Sequence, residues 1–154
     1  MKQKLFLILS TLCLGLCIFI RYLLTTLFSM SFLDAFYMCG LTLMIAAFFM
    51  KSDNRKALQT GLIIYTAYNL IDLLARRNMS AAFICLGSAS MLYITLALMD
   101  KPVFKKTFFI PGLLIGLGMF IMVYDQMGTL STYETLIFLE PLGIILMMLY
   151  YSFS

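Results

Sequence analysis

Long apolar runs separated by short polar turns occupy nearly the whole chain. A helix that crosses a hydrocarbon core roughly 30 Å thick needs about 20 apolar residues, and these runs are of that length. Strands of a membrane barrel would instead alternate over about ten residues, so the continuous runs indicate helices. The pattern predicts an all-α polytopic integral membrane protein, a compact bundle of six transmembrane helices in a single transmembrane domain, 1–154. The predicted helices span about 5–28, 32–50, 57–75, 79–99, 107–124 and 132–151.

The composition limits where any function can take place. Hydrophobic residues make up 63% of the chain and charged residues 12%, whereas an ordinary soluble domain has about 25% charged residues. The connecting loops are too short to hold a soluble domain, so we expect the function to lie within the membrane or at its surface. The short turns also predict that helices one and two, three and four, and five and six are antiparallel neighbours.

The distribution of basic residues predicts the orientation. With a cytoplasmic N-terminus, eight basic residues lie on the inner side and three on the outer side, which favours cytoplasmic N- and C-termini. The first helix has the basic start and apolar stretch of a signal peptide but no A-x-A-like cleavage site, which indicates a retained signal anchor. We therefore expect a multi-pass protein of a cytoplasmic (inner) cell membrane. Insertion into that lipid bilayer accounts for the distribution of the basic residues, so we expect no nucleic-acid binding.

Several kinds of chemistry are disfavoured by residue content. The chain contains no His, which excludes His-ligated haem, His-containing zinc sites and His general bases. Its four cysteines fall inside predicted spans without a C-x-x-C motif, so a disulfide framework is not expected. We predict no metal site, no cofactor and no catalytic residues. An intramembrane hydrolase would need two converging acids, such as Asp72 with Asp125 or Glu140, and no local signature supports one.

A polar stripe runs along the third predicted helix. Within 61–77, polar or small residues recur at spacings of three or four, so they share one helical face. The opposite face consists of Leu, Ile and Ala. A membrane helix with this pattern meets lipid on one side and partner helices or a polar cavity on the other. The stripe comprises Gly61, Tyr65, Asn69, Asp72 and Arg76, and Tyr68 lies beside it.

Glu140 is the most informative acid because it lies well inside an apolar run. A carboxylate there is expected to be paired, protonated or facing water. Pro141 leaves the carbonyl of Ile137 without its helical donor, and this carbonyl beside a carboxylate could coordinate a cation. The structural alternative is a Glu140–Arg21 ion pair that locks helices one and six. In the same way, Asp72 and Arg76 at i, i+4 can neutralise one another.

These features support two hypotheses. In the first, helices three and six face a shared outward-facing cavity, through which the protein binds or transports a small polar or cationic solute. The solute-binding residues would be Arg21, Tyr65, Asn69, Asp72 and Glu140. The size and span number resemble those of the substrate-binding subunits of energy-coupling-factor importers. Their first helix shows small-residue spacing, whereas this one has only Gly15, so no residue is carried over.

The second hypothesis is a non-enzymatic accessory, assembly or immunity-type membrane subunit. Its polar stripe and small-residue helix faces would bind another membrane protein or a second copy of the chain. The small residues of Gly87–Ser90 and the Gly112-x-x-x-Gly116 motif allow helix backbones to approach closely, either inside the bundle or between proteins.

Overall fold

The chain forms helices throughout the part that the structure describes. This is a computed structural model that describes residues 2–28, 32–49, 54–98, 101–107, 109–125 and 138–152. Among these residues there is no strand, which confirms the all-α prediction. The six long helices are α1 (Lys2–Phe28), α2 (Phe32–Phe49), α3 (Asn54–Arg76), α4 (Met79–Tyr93), α5 (Ile110–Asp125) and α6 (Leu139–Ser152).

The helix ends agree with the apolar runs except at α5 and α6. A π-helical segment, Ile94–Leu98, extends α4, and a short helix, Phe104–Thr107, precedes α5. α5 itself starts at Ile110, with Pro111 in its first turn, where the missing N–H has no helical acceptor in any case. The predicted start of the sixth helix near 132 lies outside the described residues, as does the carbonyl of Ile137.

The turn between α3 and α4 is set by local backbone chemistry. Arg77 has φ 53°, the left-handed conformation that commonly ends a helix. Asn78 then caps α4, because its side chain accepts a hydrogen bond from the backbone N–H of Ala81 at 2.9 Å. Arg77 and Asn78 thus connect α3 to α4 within two residues.

The helices form a closed ring in chain order. Each helix packs against the next one, and α6 packs back against α1. The contacts run in opposite directions along neighbouring helices: Gly40 lies against Tyr65, whereas Met44 lies against Gly61. The ends of α1 and α3 therefore lie at the same end of the bundle as the starts of α2 and α6. The predicted neighbour pairs are all present in this ring.

Glycines mark the closest crossings between helices. A Cβ on Gly61 would lie 2.9 Å from the backbone oxygen of Gly40, so α2 and α3 touch through their backbones. A Cβ on Gly118 would lie 2.7 Å from the backbone oxygen of Ser80, which gives the same close approach between α5 and α4. Gly112 faces Ile145 of α6. The small residues thus serve packing within the chain.

The bundle has an apolar interior and an apolar exterior. Three segments are long and apolar enough to cross a membrane by length and composition, namely Lys4–Leu23, Met79–Leu98 and Phe104–Asp125. Their outer surfaces expose large hydrophobic side chains, which suits a lipid environment better than water. Examples with more than half of the side chain exposed are Ile8, Leu12, Phe19, Leu86, Leu96 and Phe120.

Candidate functional site

Glu140 lies at the centre of a buried polar cluster. It is in the first turn of α6 and is 1% exposed. Its Oε2 atom accepts a hydrogen bond of 2.5 Å from the hydroxyl of Tyr37 on α2, and its Oε1 atom accepts one from the hydroxyl of Tyr65 on α3. The start of a helix also favours a negative charge, because the first N–H groups and the helix dipole point toward it. Three helices therefore meet at one carboxylate.

The local sequence explains how these three groups come together. Tyr37 lies about one turn before Gly40, and Tyr65 lies about one turn after Gly61. Because Gly40 and Gly61 bring the backbones of α2 and α3 into contact, both tyrosines are held on the interior side of that crossing. Tyr65 is 0% exposed and Tyr37 is 4% exposed. The predicted meeting of the third and sixth helices takes place here, through the Tyr65–Glu140 hydrogen bond.

Arg21 is paired with Asp34 rather than with Glu140, the partner that the structural alternative gave it. The guanidinium Nε and Nη2 atoms lie 2.8 and 2.7 Å from Oδ1 of Asp34. Nη2 also donates to the hydroxyl of Tyr68 at 2.8 Å. Asp34 lies in the first turn of α2, which packs against α1, so its carboxylate lies beside the second half of α1, where Arg21 lies.

Tyr37 connects the two charged groups. Its hydroxyl binds Glu140, and its ring centroid lies 5.2 Å from the guanidinium carbon of Arg21. The ring centroids of Tyr65 and Tyr68 lie 6.1 and 5.2 Å from that of Tyr37. We call these three rings the tyrosine cluster. Aromatic faces attract cations, and their hydroxyls can bind polar groups, so the cluster offers both kinds of contact between two carboxylates.

Asn69 is buried without a partner for its amide nitrogen. The residue is 3% exposed, and its Nδ2 atom has no hydrogen-bond partner among the residues that the structure describes. It lies one helical turn after Tyr65 on the same face of α3. Buried polar groups are nearly always satisfied, so an unsatisfied amide one turn from Tyr65, which binds Glu140, is a notable feature.

Asp72 forms an ion pair with Arg76 on its own helix. Its Oδ1 atom lies 2.9 Å from Nε of Arg76, whose side chain is 42% exposed at the end of α3. The i, i+4 neutralisation considered from the sequence is therefore present. The structure joins Tyr65 to Glu140 directly and Arg21 to it through Tyr37, but it places Asp72 in a separate pair near the end of the bundle.

Sequence reasoning missed Tyr37 and gave Tyr68 only a place beside the stripe. A signal existed, because Asp34 and Tyr37 lie three residues apart and share a face of α2, as the members of the α3 stripe do. A single tyrosine among Phe and Met residues, however, has the same pattern as an aromatic residue at a membrane interface. Only the crossing of α2 and α3 shows that Tyr37 is a buried residue of the site and not an aromatic residue at a membrane interface.

The cluster contains one buried acid, and the described residues around it form no group of metal-binding side chains. Within the described segments, no group of three or more Cys, Asp or Glu side chains is placed to hold a metal ion. No protein-family model matches the chain, and neither the curated proteins nor the solved structures that were compared with it give a match. The geometry around Glu140 is therefore the basis on which a function is proposed.

Proposed function

We propose that this protein spans a cytoplasmic membrane six times, with both termini in the cytoplasm, and binds or transports a small polar or cationic solute beside Glu140. The observation that supports the proposal is a buried carboxylate whose direct partners are two uncharged tyrosine hydroxyls. A buried, unpaired carboxylate is costly, so such a group holds a proton or attracts a cation. A site of this kind suits the exchange of a proton or a cationic solute.

Asn69 adds a second argument for a solute site. A buried donor without a partner costs about 1–3 kcal/mol. Its amide can donate to a solute through Nδ2 and accept through Oδ1. A polar solute held between Asn69 and Glu140 would satisfy both residues at once, which explains why an amide is retained where an apolar side chain would be more stable.

The surfaces assigned to the accessory alternative are occupied inside the bundle. Tyr65 and Asn69 of the polar stripe are buried, and Gly87 and Gly112 lie against Ile115 and Ile145 of neighbouring helices. This arrangement supports solute binding ahead of an accessory role. A stoichiometric membrane-protein partner, recovered by purification in mild detergent and identified by mass spectrometry, would reverse that order.

The proposed topology can be tested with reporter fusions. In an alternating ring, Lys4, Lys56 and Lys106 lie at one end of the bundle, whereas Arg21 and Arg76 lie toward the other. We expect alkaline phosphatase to be active when fused after Arg77 and inactive when fused after Lys56, because the enzyme folds only outside the cytoplasm. A green fluorescent protein fused to the C-terminus should fluoresce. The reverse pattern would contradict the proposed orientation.

The proposed site can be tested by thermal-shift measurements on the purified protein. A panel of cations and small polar solutes should include a compound that raises the unfolding temperature of the wild type. At 100 times its dissociation constant a ligand stabilises by about 2.7 kcal/mol, which corresponds to roughly 5–10 °C for a chain of this length. We expect Glu140→Gln to abolish the shift and Asn69→Ala to reduce it.

The matched control is Asp125→Asn, which removes an exposed carboxylate at the end of α5. This variant should retain the full shift, because its charge lies away from the buried cluster. If both Glu140→Gln and Asn69→Ala respond to every solute as the wild type does, the proposed site is wrong.

A further inference from the structure

We propose that the solute carries a guanidinium group, and that Arg21 is an internal competitor that occupies the solute's place. This inference rests on the proposed function, because it assigns a chemical class to the solute of the same site. It follows from the contacts that the Arg21 side chain makes with the tyrosine cluster and with Asp34.

The surroundings of Arg21 match the chemistry of a planar cation. Its Nε and Nη2 atoms both lie within 2.8 Å of Oδ1 of Asp34, and Nη2 also donates to the Tyr68 hydroxyl. Its central carbon lies 5.2 Å from the ring centroid of Tyr37 and 5.9 Å from that of Tyr68. A guanidinium can use in-plane donors and an aromatic face together, whereas a compact ammonium or a metal ion presents no such plane.

The charges around the tyrosine cluster favour a cation, even with Arg21 in place. Among Arg21, Asp34 and Glu140 there are two acids and one base, so these three side chains carry a formal charge of −1 when ionised. Arg21 directly contacts Asp34 but reaches Glu140 only through the ring and hydroxyl of Tyr37. A guanidinium solute in the place of Arg21 would lie between the two carboxylates, bound to Asp34 and separated from Glu140 by Tyr37.

The Arg21 side chain can also withdraw from the tyrosine cluster. Its side chain is 24% exposed and Asp34 is 13% exposed, so the pair forms the outer part of the site, whereas Glu140 is fully enclosed behind it. A long arginine side chain can turn its head toward the aqueous boundary while its stem remains on apolar surface. A solute can therefore take over the contacts with Asp34 and Tyr68 as Arg21 withdraws.

The test is isothermal titration of the purified full-length protein in detergent with methylguanidinium chloride. Arg21→Ala removes the competitor, and we expect it to bind methylguanidinium about tenfold more tightly than the wild type. Glu140→Gln should weaken binding about tenfold, because it removes one of the two negative charges that attract the cation. Sodium and tetramethylammonium chloride at equal ionic strength serve as comparison cations.

Equal or weaker binding of methylguanidinium by Arg21→Ala would overturn the inference. If sodium or tetramethylammonium binds in a Glu140-dependent manner and methylguanidinium does not, the guanidinium assignment fails while the proposed site stands. If no cation binds in a Glu140-dependent manner, both fail. Should Arg21→Ala not fold, Arg21→Gln keeps the apolar stem without the charge, and the same increase in affinity is expected for it.

Discussion

Replacing both Tyr37 and Tyr65 with Phe is expected to destabilise the protein by about 3–6 kcal/mol, because each hydroxyl donates a hydrogen bond to the buried Glu140 carboxylate. A hydrogen bond to a charged group contributes about 1.5–3 kcal/mol. Phe keeps the ring and its packing, so the loss of stability is due mainly to the missing hydroxyl hydrogen bonds. The measurement is the free energy of unfolding in mixed micelles, compared with each single variant.

A third substitution identifies the cause of that loss. Adding Glu140→Leu to the double Phe variant removes the unsatisfied carboxylate, and we expect it to restore most of the lost stability. Tyr93→Phe is the matched control, because Tyr93 is 63% exposed on α4, and its effect should stay within about 0.5 kcal/mol. If the double Phe variant loses the same stability with Leu at position 140 as with Glu, the hydroxyls do not stabilise the carboxylate.

Gly61→Ala is expected to destabilise the protein by about 1–3 kcal/mol, although alanine is the better helix former. The added Cβ would lie 2.9 Å from the backbone oxygen of Gly40 and 3.0 Å from the backbone nitrogen of Met44. Backbone atoms cannot turn aside as a side chain can, so α2 and α3 must move apart. Because Tyr65 is one turn away, we also expect a weaker response to any solute that binds at Glu140.

The control for this prediction is Gly15→Ala on α1. A Cβ on Gly15 would have no atom of another helix within 4 Å among the described residues. This substitution should raise the free energy of unfolding by up to about 1 kcal/mol, because alanine loses less conformational entropy on forming a helix. Thermal unfolding of both variants in the same detergent gives the comparison. A stabilising effect at Gly61 would mean that the close crossing of α2 and α3 is absent.

Helix positions were accessible from the sequence because they depend on neighbours along the chain. Apolar runs and turn residues placed the ends of α1 to α4 within a few residues. The three- and four-residue spacing on α3 correctly grouped Tyr65 and Asn69 on the buried face. The burial of Glu140 in an apolar run also indicated an unusual carboxylate. Each of these is a property of one helix.

The sequence did not indicate in the same way which side chains contact Arg21 and Glu140. The sequence left an Arg21–Glu140 ion pair open, because the position of a residue along its helix does not specify its position around the bundle. The ring order brings α2 beside α1, so Asp34 reaches Arg21 first. Glu140 instead accepts hydrogen bonds from Tyr37 and Tyr65, across the interior of the bundle.

The sequence by itself determined the helical class, the approximate helix ends and which face of α3 is polar, because helical periodicity and hydrophobicity are local properties. The tertiary structure decided that the six helices close into a ring and that Glu140 meets two tyrosines. It also decided that Arg21 lies over the ring of Tyr37. These contacts join residues up to 103 positions apart in the chain. They depend on how close helix backbones approach at Gly40 and Gly61, a distance that no single helix encodes.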